Sequence, residues 1–329
     1  MKDLKLKKKF KLFDMNRDGK GVDPGEDTTP NLKFFFKQFV RKFSKILSLN
    51  ILMIFQVVPL IACLYLYFVA TPTTPTMYSP EFAAMFGIQE NMSNAVTAVD
   101  LGLFSFQLGL PTYNTYIYWV IGILLAILVI TFGWQTVGST YVLRGLVRGD
   151  SVFIVSDFFY AIKKNLKQGF ILGIIDCIII FVLGFDIYYF YTTEPGFLTN
   201  FMYAMIFALI IMYIIFRVYA YLMLVTFDMK LTKIFKNALI FVVVGIKRNA
   251  LAFLGLIIAT ALAIVPIAVF LPLGLGVALV LPFIYYLGTC GFITTYAAYP
   301  VIKKYMIDPV GKDTPNNENS SDEVLPVEE

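Results

Sequence analysis

Apolar residues run in long blocks along this chain, and each block is preceded by a shorter amphipathic stretch carrying Lys or Arg. The pattern predicts an all-α, polytopic membrane protein: six transmembrane helices in three hairpins, each preceded by a basic amphipathic interfacial helix. Blocks of about 20 apolar residues are long enough to span a bilayer as helices, and in hydrocarbon a helix satisfies every backbone polar group within its own segment. The predicted spans are 51–69, 116–136, 170–189, 201–226, 250–270 and 277–298. An external loop is expected at 71–112.

The predicted interfacial helices share one grammar. In the first, Asn31 to Leu49, Lys33, Lys37, Arg41 and Lys45 recur every fourth residue, opposite Phe36, Phe39, Phe43, Ile46 and Leu47. A basic stripe opposite an apolar face predicts a helix lying among lipid headgroups. The second is Asp157 to Lys164 and the third Lys230 to Arg248. Each reaches an asparagine (Asn50, Asn165 or Asn249) where a span begins. The expected role of these three is structural, capping helices or bonding nearby backbone.

Charge placement sets an expected orientation. No Lys or Arg occurs between Lys45 and Arg144 or between Arg248 and Lys303, and 71–112, 192–199 and 271–276 hold none. Basic loops stay in the cytoplasm, so both termini are expected there, in the cell membrane. Residues 1–30 read as a cytoplasmic basic and loop segment, 31–300 as the six-span domain, and 301–329 as an acidic disordered cytoplasmic tail.

Composition narrows the chemistry. The chain is 58% hydrophobic and 15% charged, with mean hydropathy +0.74. Its net charge of +5 reflects basic membrane edges, so the bilayer and an anionic leaflet are the expected partners and nucleic acid is not. There is no histidine, and Cys63, Cys177 and Cys290 each sit in an apolar run, so neither a metal site nor a cofactor is expected. Asp14 to Asp18 resembles the start of a calcium loop, but the twelfth position is Gly25 where a bidentate Glu is needed, which reads as a linker. Without a nucleophile elbow or phosphate loop, the expectation is a protein that is not an enzyme.

Two charges fall deep in predicted spans. Asp176 lies about 13 Å past Lys167 along its helix, and Arg217 about 16 Å before Asp228, so the two reach similar depth from the same side. Intramembrane charges pair or serve function, making Asp176 and Arg217 the candidate binding residues as well as an expected ion pair. Gln135, Thr136, Ser139 and Thr140 are expected to bond between helices, and Gly169 and Gly173 permit a close helix approach.

Residues 18 to 300 resemble the YesL-like family of bacterial membrane proteins, whose function is unassigned. The resemblance rests on Gly19-Lys-Gly21-Val22, Arg41-Lys42-Phe43 before Leu49-Asn50, and Gly138-Ser-Thr-Tyr141-Val-Leu-Arg144. It rests also on Ser156-Asp157-Phe158, Lys164-Asn165-Leu-Lys167-Gln168 and Lys236-Asn237-Ala238. The long loop and the acidic tail depart from that pattern. The resemblance implies a role linked to carbohydrate uptake or glycan use, with a sugar transporter or other membrane protein as partner. The expectation is an accessory or scaffold protein; the other reading is a small-solute permease with a polar site near Asp176 and Arg217.

Overall fold

A computed structural model describes residues 29–68 and 115–309, and these residues are all-helical with no strand. The expected 71–112 loop, the calcium-like stretch and most of both tails lie outside the described residues. The helices are α1 (Leu32–Ile54), α2 (Val57–Phe68), α3 (Thr115–Arg148), α4 (Ile154–Lys164), α5 (Leu166–Thr192), α6 (Phe197–Thr226), α7 (Leu231–Val244), α8 (Ile246–Phe270) and α9 (Leu281–Ile302). A 3₁₀ turn, Gly276–Leu279, precedes α9, and a π turn, Lys303–Ile307, continues it.

Five segments are long and apolar enough to cross a membrane: Tyr116–Arg148, Leu166–Thr192, Phe197–Leu224, Ile246–Phe270 and Gly276–Ile307. The predicted span at 51–69 differs. Its residues are divided between the end of α1 and the short α2, which meet at a 45° bend, so a sixth crossing exists only if the two together make it. Pro59 sits in the first turn of α2, where its missing N–H costs nothing. The spans also outrun their predicted ends. α3 continues to Arg148, and α9 continues to Ile302, past the predicted span end at residue 298.

The core sits at one end of the bundle, the end carrying the Lys- and Arg-rich segments. There the last turns of α3, α6 and α9 meet the amphipathic helices. One cluster joins Tyr219–Val225 of α6 to Ile234 and Ala238 of α7 and Ile302 of α9; the other joins Ile46 and Leu49 of α1 to Leu146, Phe158 and Phe292. Toward the opposite end large side chains stay uncovered, among them Ile123 and Ile127 of α3, Phe181 and Phe185 of α5, and Leu262 of α8. In hydrocarbon such faces meet lipid tails as apolar as themselves, so nothing drives them together.

α3 is the hub. It packs most extensively on α5 and also touches α1, α2, α4, α6 and α9. Its crossing with α5 is nearly backbone on backbone: a Cβ placed on Gly133 would lie 2.0 Å from the Gly169 carbonyl oxygen and 2.7 Å from Gly173 Cα. The Trp134 indole N–H donates to the Leu166 carbonyl at 2.9 Å beside this crossing.

Candidate functional site

Asp176 and Arg217 meet between α5 and α6. Arg217 Nε donates to Asp176 Oδ2 at 2.5 Å, and the Asp176 side chain is 1% exposed. The aspartate accepts two further bonds. Tyr221 donates to Oδ2 at 3.0 Å, and Tyr213 makes a short bond to Oδ1. Tyr213, Arg217 and Tyr221 lie four residues apart on α6, so their side chains form one stripe facing the carboxylate. Arg217 also donates from Nη2 to Thr136 Oγ1 of α3 at 3.2 Å, and its guanidinium packs over the Phe132 and Tyr221 rings. The two tyrosines had no part in the sequence reading; the signal for them was their four-residue spacing about Arg217.

A cleft of about 260 Å³ runs beside this network, bounded by α5, α6 and Phe235 of α7. Asp176 and Arg217 line it, yet its walls are otherwise almost wholly apolar.

The three asparagines do not occupy equivalent places. Asn165 stands at the break between α4 and α5 and donates back to the Ala161 carbonyl at 3.0 Å. Asn249 lies inside α8, one turn after the break at Gly245, and reaches back across it to the Phe241 and Val242 carbonyls while accepting from the Tyr219 hydroxyl at 2.9 Å. Asn50 lies in unbroken α1. It grips α9, donating to the Phe283 and Ile284 carbonyls and accepting from Gly288 N–H at 2.8 Å. An apolar run after Asn looks the same in sequence whether the helix breaks there or passes through, so the expected threefold register is not seen.

Of the basic stripe of α1, Lys33, Lys37 and Arg41 are exposed, while Lys45 turns to the protein. Lys45 donates to the Val152 carbonyl at 3.1 Å, and Gln38 donates to the Leu146 and Val147 carbonyls, both at 2.8 Å. Gln38 satisfies the end of α3, whose last carbonyls lack intrahelical partners, and Lys45 holds the connection from α3 to α4. The aromatic face is divided: Phe35 and Phe39 pack at a tilt against Phe292, while Phe36 and Phe43 stay exposed. Arg144 closes the same end by donating to the Val225 carbonyl of α6 at 2.6 Å, a cation at a helix C-terminus. Of the residues expected to bond between helices, Gln135 donates to the Leu52 carbonyl at 2.7 Å and Thr136 receives Arg217. Ser139 instead donates within its own helix, to the Thr136 carbonyl. The three cysteines are free thiols, and among the described residues no group of His, Cys, Asp and Glu could hold a metal ion.

A family described as protein of unknown function, DUF624, matches residues 114–187. The match covers under a quarter of the chain. It contains α3, α4 and most of α5, and so the Gly133 crossing and Asp176, but not Arg217. No curated protein and no solved structure matches the chain.

Proposed function

We propose that this chain is an accessory or scaffold protein of the cell membrane that presents its basic end to a partner. The closure of the intramembrane network carries the reading. Asp176, the buried acid of the spans among the described residues, accepts from three side chains at once. A transport path needs polar groups that exchange partners with a solute; here they are spent on holding helices together. At the basic end Gln38 and Arg144 likewise fix helix ends and Lys45 fixes the connection from α3 to α4, which favours a rigid platform.

The YesL-like resemblance supports a link to carbohydrate uptake or glycan use, with a sugar transporter as the partner and anionic lipid beneath the basic helices. The reading is not enzymatic and invokes no cofactor. Its test is crosslinking and affinity capture from native membranes, paired with sugar-uptake profiling of a deletion strain. A transporter subunit captured with the protein, and an uptake defect in the strain, are the expected results. A deletion strain with unchanged uptake and no transporter captured would end the carbohydrate link.

The second reading, a small-solute permease, draws on the cleft beside Asp176 and Arg217. It requires uptake by the purified protein in vesicles; the scaffold reading predicts none.

The topology belongs to the same proposal: six spans in three hairpins, α1 and α2 together making the first, with both termini cytoplasmic by the distribution of Lys and Arg. Reporter fusions at Asp27, Glu90, Asp150, Glu194, Pro272 and Asp313 are expected to read inside, outside, inside, outside, outside, inside. A cytoplasmic signal at Glu90 would leave α1 and α2 on one side of the bilayer.

A further inference from the structure

We propose that the connection between α8 and α9, residues 271–280, is a lipid-binding surface: it seats at the edge of the leaflet opposite the basic end, with its leucines and valines inserted among acyl chains. The inference goes beyond the scaffold reading and does not rest on it.

From Ala261 to Ile284 no side chain carries a nitrogen, oxygen or sulfur atom. Of the groups flanking that stretch, Thr260 and Tyr286 bond to each other at 2.8 Å. Within the connection Leu271, Leu273, Leu275, Val277, Leu279 and Val280 are each at least 44% exposed. In water they would form a contiguous apolar surface of a kind that marks a membrane or protein contact.

The backbone is suited to a medium poor in water. Leu271 N–H donates to the Ile267 carbonyl, Leu273 and Leu275 both donate to that of Phe270, and Gly274 donates to that of Leu271. Gly276, Ala278 and Val280 donate to the carbonyls of Gly274, Leu275 and Val277 in turn. Pro272 has no N–H, and Pro282 removes another unpartnered donor from the first turn of α9. Gly274, at φ +77°, lets the chain reverse this tightly. Backbone polar groups at membrane depth must be satisfied without bulk water. Here the connection's own atoms meet most of that need, and the boundary of the headgroups supplies the rest.

Helix length sets the same depth. α8 and α9 have 25 and 22 residues, about 37 and 33 Å at 1.5 Å per residue. Against hydrocarbon of about 30 Å and a usual tilt of about 20°, both end near the far edge of the acyl chains. α5 and α6, with 27 and 30 residues, run about 40 and 45 Å. Their connection clears that edge and is polar, carrying Thr192, Thr193 and Glu194. Lipid also fits the α8–α9 connection better than protein does. Protein interfaces are ringed by polar groups and carry hydrogen bonds, and no side chain here offers one. Nor is there a hydrophobic gain in exchanging lipid for an apolar protein face.

The test uses the full-length protein with Cys63, Cys177 and Cys290 changed to alanine, in vesicles of phosphatidylethanolamine and phosphatidylglycerol. A nitroxide is attached at Leu273→Cys, at Leu275→Cys or, as the aqueous reference, at Glu194→Cys. Power-saturation EPR compares collisions with oxygen, which concentrates among acyl chains, and with a water-soluble nickel chelate. The oxygen-to-nickel ratio is expected to be several-fold higher at 273 and 275 than at 194. Equal ratios at all three positions would make the connection an aqueous loop and overturn the proposal. Poor access to both reagents at 273 and 275 would overturn it as well, by placing a second copy or another protein over the turn. Where the alanine background does not fold, the same three substitutions are made in the native sequence. Their reaction with a charged maleimide on both sides of the membrane is then timed, with the signal of the native thiols subtracted. Leu273→Cys and Leu275→Cys should react several-fold more slowly than Glu194→Cys, and equal rates would again overturn the proposal.

Discussion

Gly133→Leu and Gly173→Val are expected to abolish recovery of folded protein, whereas Gly122→Ala and Gly184→Ala leave it unchanged. A Cβ on Gly173 would stand 2.4 Å from Gly133 Cα, and one on Gly133 would stand 2.0 Å from the Gly169 carbonyl oxygen. Those neighbours are backbone atoms of α3 and α5, so no side chain can turn aside to make room. Overpacking costs about 1–3 kcal/mol where neighbours can shift, and these two substitutions should exceed that range. Around Gly122 and Gly184 nothing lies within 4 Å of the added carbon, which makes them matched controls in the same two helices. Because α3 is the hub, separating it from α5 also withdraws Thr136 from Arg217 and Trp134 from Leu166. Yield of monodisperse protein in detergent and the midpoint of thermal unfolding measure the effect. A Gly133→Leu protein that purifies and melts like the wild type would show that the two helices do not cross at this point.

The second large effect concerns the buried pair. Asp176→Asn leaves Arg217 charged in a membrane interior without its counter-ion, and Arg217→Gln leaves a carboxylate held only by two phenols. Removing one partner of a buried pair costs about 3–5 kcal/mol, while removing both is often close to neutral. Each single variant is therefore expected to lose most of its folded yield, and the double variant Asp176→Asn with Arg217→Gln to recover much of it. Thermal unfolding of the four proteins forms a double-mutant cycle whose coupling energy reads the pair directly. Additive losses would show that the two residues do not depend on each other. Uptake profiling of the double variant then separates the two functional readings. A folded double variant that restores a deletion strain fits the scaffold; one that folds and fails to restore it assigns the pair a role in transport.

Membrane class, helical content and five of the spanning helices were legible in the sequence because they depend on local composition. A run of apolar residues near the bilayer's thickness becomes a helix whatever lies beside it. The meeting of Asp176 with Arg217 was legible for a related reason: the cost of a lone charge in hydrocarbon, with similar depth on successive helices, leaves few other partners. The tertiary structure alone decided how the helices lie against one another. Gly169 and Gly173 marked a face on α5, but nothing local pointed to Gly133 as the residue that receives it. Asn50, Asn165 and Asn249 looked alike because each precedes an apolar run. Whether α1 passes through its asparagine, or the chain breaks as it does at Asn165 and Gly245, depends on which carbonyls lie within reach, and those of Phe283 and Ile284 belong to a helix more than two hundred residues away. Gln38 and Lys45 were likewise indistinguishable from lipid-facing residues until the end of α3 and the connection that follows it were set beside them. Hydrophobic periodicity reports how much of a helix avoids water. In a membrane lipid and protein avoid it equally, so the division between lipid-facing and protein-facing surface is fixed by close packing and hydrogen-bond satisfaction in three dimensions.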